Sequence, residues 1–161
     1  MSANGVVPLA SKVSAITGMA RPATKEKLQQ FLGCVNFYHR FVPHLASILA
    51  PLHELTSSAA TQKASLVWSS SQERAFRDAK DALSGAVMLA HPNPTAELHL
   101  TTDALDVAVG AVLSQGPFSS PEPLAFFSKK LSAAEKNYSA FDKELLAVYL
   151  AVRHFRHHLE A

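Results

Sequence analysis

Apolar residues recur along this chain with two different periods, and the change of period divides it. From Met1 to Arg21 there is little periodicity beyond short apolar pairs such as Val6-Val7, so an irregular lead-in with one short strand is expected. Thr24 follows Pro22 and Ala23 and is a good helix N-cap. Leu28, Phe31, Leu32, Val35 and Tyr38 then recur at three- and four-residue spacing, which gathers them on one helical face, and Pro43 ends the run. A second stripe runs through Leu45, Ile48, Leu49, Leu52 and Leu55. Pro51 interrupts it, so two short helices are expected. Thr56 to Ala64 is rich in Ser, Thr and Ala without period and reads as a linker. Ser70 and Glu73 have the spacing of a capping box. The helix they predict turns Phe76, Ala79 and Leu83 inward and stops near Gly85.

After the turn His91-Pro92-Asn93-Pro94 the period becomes two. Leu98, Leu100 and Thr102 alternate with His99, Thr101 and Asp103, a half-buried strand. Val107, Val109, Ala111 and Leu113 alternate again across Gly110, a second strand. A proline-containing loop from Gly116 to Pro123 leads to a third, shorter strand over Leu124 to Ser128. One long helix is predicted from Ala133 to Leu159, with Tyr138, Phe141, Leu145, Val148, Val152 and Phe155 on its buried side. Short loops make neighbouring strands antiparallel. The fold class is therefore mixed α/β (α+β). A helical segment over residues 1–65 precedes a strand-strand-strand-helix unit over residues 66–161.

Composition narrows the class. The chain has 161 residues, 48% of them hydrophobic and 17% charged, which suits a folded core and not a solvated tail. The net charge of +2 is too small to announce a nucleic-acid binder. Its distribution is uneven: residues 1–65 balance to +4 and residues 66–161 to −2. One cysteine, Cys34, excludes an internal disulfide. Its apolar neighbours suggest a small buried side chain. No signal-peptide pattern and no bilayer-length apolar run is present, so an intracellular setting without membrane contact is expected.

Two carboxylates stand out. Asp103 ends a strand in Leu100-Thr101-Thr102-Asp103-Ala104, and Glu144 lies on the last helix in Asp142-Lys143-Glu144-Leu145. A strand-end carboxylate facing one from a helix across the sheet can share a divalent cation. Mg²⁺ favours one or two such ligands completed by water and phosphate, and two ions can clamp a phosphodiester. Taken alone, these residue types more often cap a turn or sit solvated. His154, His157 and His158 cluster at a helix end, where the dipole favours them without any metal. Phe37, Tyr38 and Phe41 have the chemistry to stack bases, but overlap the apolar helix face and read as core. Ser128 finds no convincing triad.

Several strings together resemble the pol polyprotein of Ty3/gypsy-type LTR retrotransposons, in that family's order and over nearly the whole chain. Leu28-Gln29-Gln30-Phe31-Leu32-Gly33-Cys34-Val35-Asn36-Phe37-Tyr38-His39-Arg40-Phe41 and Ile48-Leu49-Ala50-Pro51-Leu52 resemble the thumb that follows a polymerase palm. Trp68 through Leu83 resembles the connecting segment. Thr102-Asp103-Ala104 with Val109-Gly110-Ala111-Val112-Leu113 resembles the first hairpin of the ribonuclease H domain, Pro123 to Leu131 its third strand, and Tyr138 to Ala147 with His154-Phe155-Arg156 its first helix.

The resemblance implies a partial ribonuclease H-like fold, three antiparallel strands and a long helix, with later strands missing. It implies that Asp103 and Glu144 are catalytic and metal-binding. The cofactor is Mg²⁺, or Mn²⁺, provided the site is completed. The expected substrate is an RNA–DNA hybrid, with Lys27 and Arg40 as phosphate contacts chosen by charge and place. The palm aspartates, a third catalytic aspartate and a fourth carboxylate of the family do not occur here, and Leu105 stands where serine is usual. Polymerisation is not expected, and hydrolysis by this chain alone is expected to be lost or severely weakened. The first strand becomes an edge, which suggests a homodimer, a strand-supplying partner, or support from the helical half. The alternatives are a nucleic-acid-binding or scaffolding remnant without catalysis, and a fragment with no selected function.

Overall fold

The chain was analysed as a computed structural model that describes residues 5–58 and 61–160. The lead-in is more ordered than its weak period suggests. Val6 and Leu89 exchange backbone hydrogen bonds of 2.7 and 2.9 Å, a single bridge where a short strand was expected. Beyond it lies a helix, α1 (Ala10–Thr17). Two turns are too short to show a stripe, yet Val13 and Ile16 reach the core.

Helix α2 (Lys25–Phe37) starts at Thr24 as expected, and Leu28, Phe31, Leu32 and Val35 are buried. Cys34 points the other way and is exposed, which corrects its expected burial. Leu32 and Val35 near it in sequence are core residues, but the helix turns successive side chains by about 100°, which leaves Gly33 and Cys34 on the outer face. A single 3-10 turn (His39–Phe41) follows. Phe41 is buried there, whereas Phe37 is 76% exposed and does not join the core.

Helix α3 (Leu45–Ser58) runs unbroken through Pro51, against the expectation of two helices. An interior proline costs roughly 3 kcal/mol. Burial of Leu45, Leu49, Leu52 and Leu55, at about 1.5–3 kcal/mol each, outweighs that and holds both halves on one axis. The helix also takes in Thr56–Ser58, the start of the expected linker, two of whose residues (59–60) lie outside the described ones. Helix α4 (Ser70–Ser84) is capped by Ser69 and Gln72, one residue earlier than the Ser70–Glu73 spacing suggested. The Gln72 amide oxygen accepts from the Ser69 N–H at 2.9 Å, so a glutamine closes the box as well as a glutamate. Ala75, Phe76, Ala79 and Leu83 face inward, and Gly85 ends the helix. These residues share one hydrophobic core with α1, α2 and α3. Trp68, half-buried at its margin, donates its indole N–H to the Pro22 carbonyl at 3.0 Å and meets the Phe76 ring edge-on.

Strands β1 (Leu98–Ala104), β2 (Ala108–Gln115) and β3 (Glu122–Lys130) form an antiparallel sheet in the order β1-β2-β3. β3 is longer than expected because Glu122 and Pro123 already pair with β2 at its start and Lys129–Lys130 still pair at its end. β1 is an edge, as anticipated. One face of the sheet packs on α3 and the 3-10 turn. The other carries α6 (Ala140–His154), which crosses β1 and β2.

The expected long helix is three pieces: α5 (Ala133–Lys136), α6 and α7 (Arg156–Leu159). Ser132 and Ser139 each accept a backbone N–H as N-caps, so the chain restarts a helix at Ser139 where it was expected to continue one. Its orientation is a larger correction. Ala147 and Ala151 are 1% and 0% exposed against the sheet, while Phe141, Leu145, Val148 and Val152 are 75%, 58%, 44% and 45% exposed. Tyr138 is exposed as well, and of the expected buried side Phe155 alone is buried. Alanines let the helix axis approach the sheet closely. The large side chains, which define the stripe in the sequence, are left on the back.

Candidate functional site

Asp103 is the last residue but one of β1 and pairs in register with Gly110 of β2. Alternation settles where it faces. Leu100 packs with Ala151 and Phe155, and Ala104 with Ala147, so those positions look toward α6. Thr101 and Asp103 look the other way. They open into a cleft of about 140 Å³ between the sheet and the start of α3, walled by Pro43, His44, Gly110, Val112 and Phe126.

His44 shapes that cleft. It holds a left-handed backbone (φ 54°), uncommon for a residue with a side chain. Its ring lies so close to the sheet that a Cβ at position 110 would stand 3.1 Å from His44 Nδ1. A side chain at position 110 would therefore have to push the His44 ring aside by a few tenths of an ångström. Nothing in the sequence marked His44, because a positive φ at a histidine has no pattern to read.

Glu144 lies on α6, across the sheet from the cleft, and is exposed. The two candidate carboxylates thus leave opposite faces. What joins them is the end of the sheet. The Lys143 side chain is only 12% exposed, and its ammonium lies 3.6 Å from Asp106 in the β1–β2 turn. That contact links the first turn of α6 to the turn that follows Asp103, across a fully exposed aspartate. Lys143 was also missed, since a lysine in a charged helical turn reads as solvated. Leu105, in the same turn, is 39% exposed, and its N–H donates to the Ala108 carbonyl at 2.8 Å.

Neither the Asp103 nor the Glu144 carboxylate forms a hydrogen bond or ion pair with another described residue, so their oxygens are open to water or a ligand. Among the described residues no group of three or more His, Cys, Asp or Glu is close enough to hold a metal. The donor chemistry suits Mg²⁺, which takes one or two protein carboxylates beside water and phosphate. It does not supply a two-ion site.

The other candidates lie apart. Lys27 lies in the first turn of α2, its N–H donating to Thr24 Oγ1 at 3.4 Å. Arg40 lies beyond the far end of that helix, on the order of 20 Å away, with its guanidinium 5.4 Å from the Phe41 ring centre. Both are exposed. His154 stacks on Phe127 with 4.4 Å between ring centres and meets His39 edge-on at 6.2 Å. Burial, and then the neighbouring His39 and His158, hold its pKa below the usual imidazole value. This cluster joins the 3-10 turn to α6 as packing.

Residues 68–161 match the family described as the RNase H-like domain found in reverse transcriptase. The chain belongs to that family. Within this RNase H-like family, similarity extends over the whole chain to fission yeast (Schizosaccharomyces pombe) proteins. The Transposon Tf2-3 and Tf2-4 polyproteins are each 35% identical to it over 162 residues. The chain spans 12% of the length of these curated relatives. The fold is that of part of the foamy viral protease-reverse transcriptase in complex with RNA/DNA hybrid, with a TM-score of 0.82 and 23% identity over 94% of this chain and 20% of that one. The same protein in complex with dsDNA gives 0.78 over 91% of this chain and 30% of that one. The retrotransposon resemblance and the mixed fold class read from the residues are borne out.

Among the described residues no helix is long and apolar enough to cross a membrane.

Proposed function

We propose that this RNase H-like chain engages the backbone of an RNA–DNA hybrid and supplies two carboxylates, Asp103 and Glu144, to metal-dependent hydrolysis of the RNA strand. Alone, it hydrolyses weakly or not at all. The observation that carries the reading is the end of the sheet. There Lys143 and Asp106 link the first turn of α6 to the turn that follows Asp103, and both carboxylates are exposed and unengaged. Bound there, Mg²⁺ or Mn²⁺ would polarise a phosphate oxygen and activate water. Because Asp103 and Glu144 leave opposite faces, each would contribute a ligand at the end of the sheet only with others supplied from outside the described residues, and Lys27 and Arg40 would grip phosphates away from the chemistry. The related proteins' association with RNA/DNA hybrid and dsDNA supports the choice of ligand.

The absence of a third ligand among the described residues favours a second reading, a binding or scaffolding remnant without catalysis. Cleavage of a labelled RNA–DNA hybrid with Mg²⁺ or Mn²⁺ separates the two, using the parent chain, Asp103→Asn and Glu144→Gln. The expected result is hybrid binding with little cleavage above the variants' background. Robust cleavage lost in both variants would show that the missing ligands come from another chain. Cleavage retained in both would remove these carboxylates from the site. Failure to bind hybrid at low salt would refute the nucleic-acid reading.

A further inference from the structure

The cleft beside Asp103 lies between two parts of this chain. Pro43 and His44 form one wall, and the sheet, with Val112 and Phe126, forms the other. Asp103 is the one formally charged side chain on its lining, and no lysine or arginine answers it there. At about 140 Å³ the space falls short of the roughly 300 Å³ at which small-molecule pockets begin. It has room for an ion and a few waters at about 30 Å³ each.

One uncommitted donor shares the cleft with that carboxylate. Gly110 is the cross-strand partner of Asp103, so a Cβ built on it points to the same face. His44 Nδ1 lies 3.1 Å from that point, and the Cβ atoms of such a strand pair stand about 4.5–5.5 Å apart. Imidazole and carboxylate thus converge over the glycine. After rotation about their Cα–Cβ bonds, one ion with bonds of about 2.0–2.2 Å to nitrogen and oxygen spans them. The two side chains make no hydrogen bond or ion pair with each other, and the His44 ring makes none with any other described residue. The His44 backbone is also held in place. Its carbonyl accepts the Ser47 and Ile48 N–H groups at 3.0 and 3.3 Å, and its φ of 54° is one that a residue with a side chain keeps only where the surroundings impose it.

The donors decide which ion fits. Mg²⁺ takes oxygen ligands and sheds water reluctantly. An imidazole nitrogen beside a carboxylate suits a divalent transition ion better. We propose that Asp103 and His44 together hold one such ion in the cleft, Mn²⁺ in preference to Mg²⁺, with water completing its coordination. Thr101 lines the same cleft, and its hydroxyl can bond a water held on the ion. The proposal rests on the hydrolytic reading only in taking Asp103 as a ligand. It requires neither Glu144, on the opposite face, nor a nucleic acid.

Amide spectra of the isotope-labelled full chain, titrated with Mn²⁺, test this, because a paramagnetic ion broadens the signals nearest to it. The Gly110 and Ala46 signals are expected to vanish before those of His154, His157 and His158. Mg²⁺ is expected to restore them only in about tenfold or greater excess. His44→Gly removes the ring and keeps a left-handed backbone, which glycine adopts freely. It should raise the Mn²⁺ concentration required by about tenfold or more, with a melting midpoint close to the parent's. Asp103→Asn should raise it as much. Absence of selective broadening at Gly110 up to about 5 mM Mn²⁺ overturns the proposal, as does broadening that His44→Gly leaves unchanged. Broadening that survives His44→Gly but is lost in Glu144→Gln would put the ion at the end of the sheet, which refutes the pairing with His44 and leaves the hydrolytic reading standing. Failure of the chain to bind hybrid, with the Mn²⁺ result intact, does the reverse.

Discussion

Replacing Ser128 by alanine should loosen the sheet from the helical half. Ser128 Oγ, on β3, accepts the Ala46 N–H at 2.9 Å, from a residue 82 positions earlier. Ala46 lies in the first turn of α3, where backbone N–H groups have no partner within the helix. The next two, the Ser47 and Ile48 N–H groups, do find one, the His44 carbonyl, at 3.0 and 3.3 Å. Ser128 therefore caps a helix from across the molecule. Its loss leaves a part-buried donor unsatisfied and should cost about 1–2 kcal/mol, the range of a lost N-cap. For a chain of this length each kcal/mol moves the melting midpoint by about 2–4 °C, so the expected fall is roughly 2–8 °C. Thermal unfolding followed by far-UV circular dichroism measures it. Ser128→Thr keeps a hydroxyl and should recover most of the loss. Ser84→Ala removes an exposed side-chain bond back along its own helix and should move the midpoint far less. A Ser128→Ala midpoint within about 1 °C of the parent would refute the reasoning, because water would then satisfy Ala46 as well as the serine does. The same cap positions His44, so a damaged cap should also make the cleft beside Asp103 less well ordered.

Two further outcomes are expected. If Lys27 and Arg40 each neutralise a phosphate, replacing either with alanine should reduce the slope of log K against log salt for hybrid binding by about one unit without changing sequence preference; an unchanged slope removes that residue from the interface. The fold disfavours charge on His154, through burial and then His39 and His158, and on His53, through burial and then Lys130. Both pKa values are lowered from 6.5, so the unfolded chain binds more protons, and the stability these neutral rings confer is full above that value and is lost as pH falls below it. Melting midpoints measured downward from neutral pH should drop, and His154→Gln should flatten part of the drop. A parent curve no steeper than the variant's would show that His154 titrates alike in both states.

The legible parts of this molecule were those where one period dominates. Helices α2 and α4 and the edge strands β1 and β3 follow from their apolar spacing, and β2, central in the sheet and buried on both faces, keeps its alternation as well. The last helix misleads for a physical reason. It is apolar on two sides, and the side that packs is written in alanines, which carry little hydrophobic signal but permit the closest approach. Pro51 misleads in the opposite sense, since a local rule against helix is overruled by leucines whose burial cannot be weighed from spacing alone. At the candidate site, residue chemistry alone gave Asp103 and Glu144 little weight. Resemblance singled them out, and the structure adds the Lys143–Asp106 contact and the His44 wall, both products of tertiary placement.

Trp68 is the sole tryptophan, and its surroundings give the molecule a built-in reporter. The indole donates to Pro22, lies against Phe76 and has the Arg21 guanidinium 5.8 Å from its ring centre, all within the helical half. Its emission wavelength should therefore report the opening of that half and be nearly blind to fraying of the β1 edge. A sheet that unravels first would shift the circular dichroism while the fluorescence stayed still. Coincident traces would mean that helices and sheet unfold as one cooperative body.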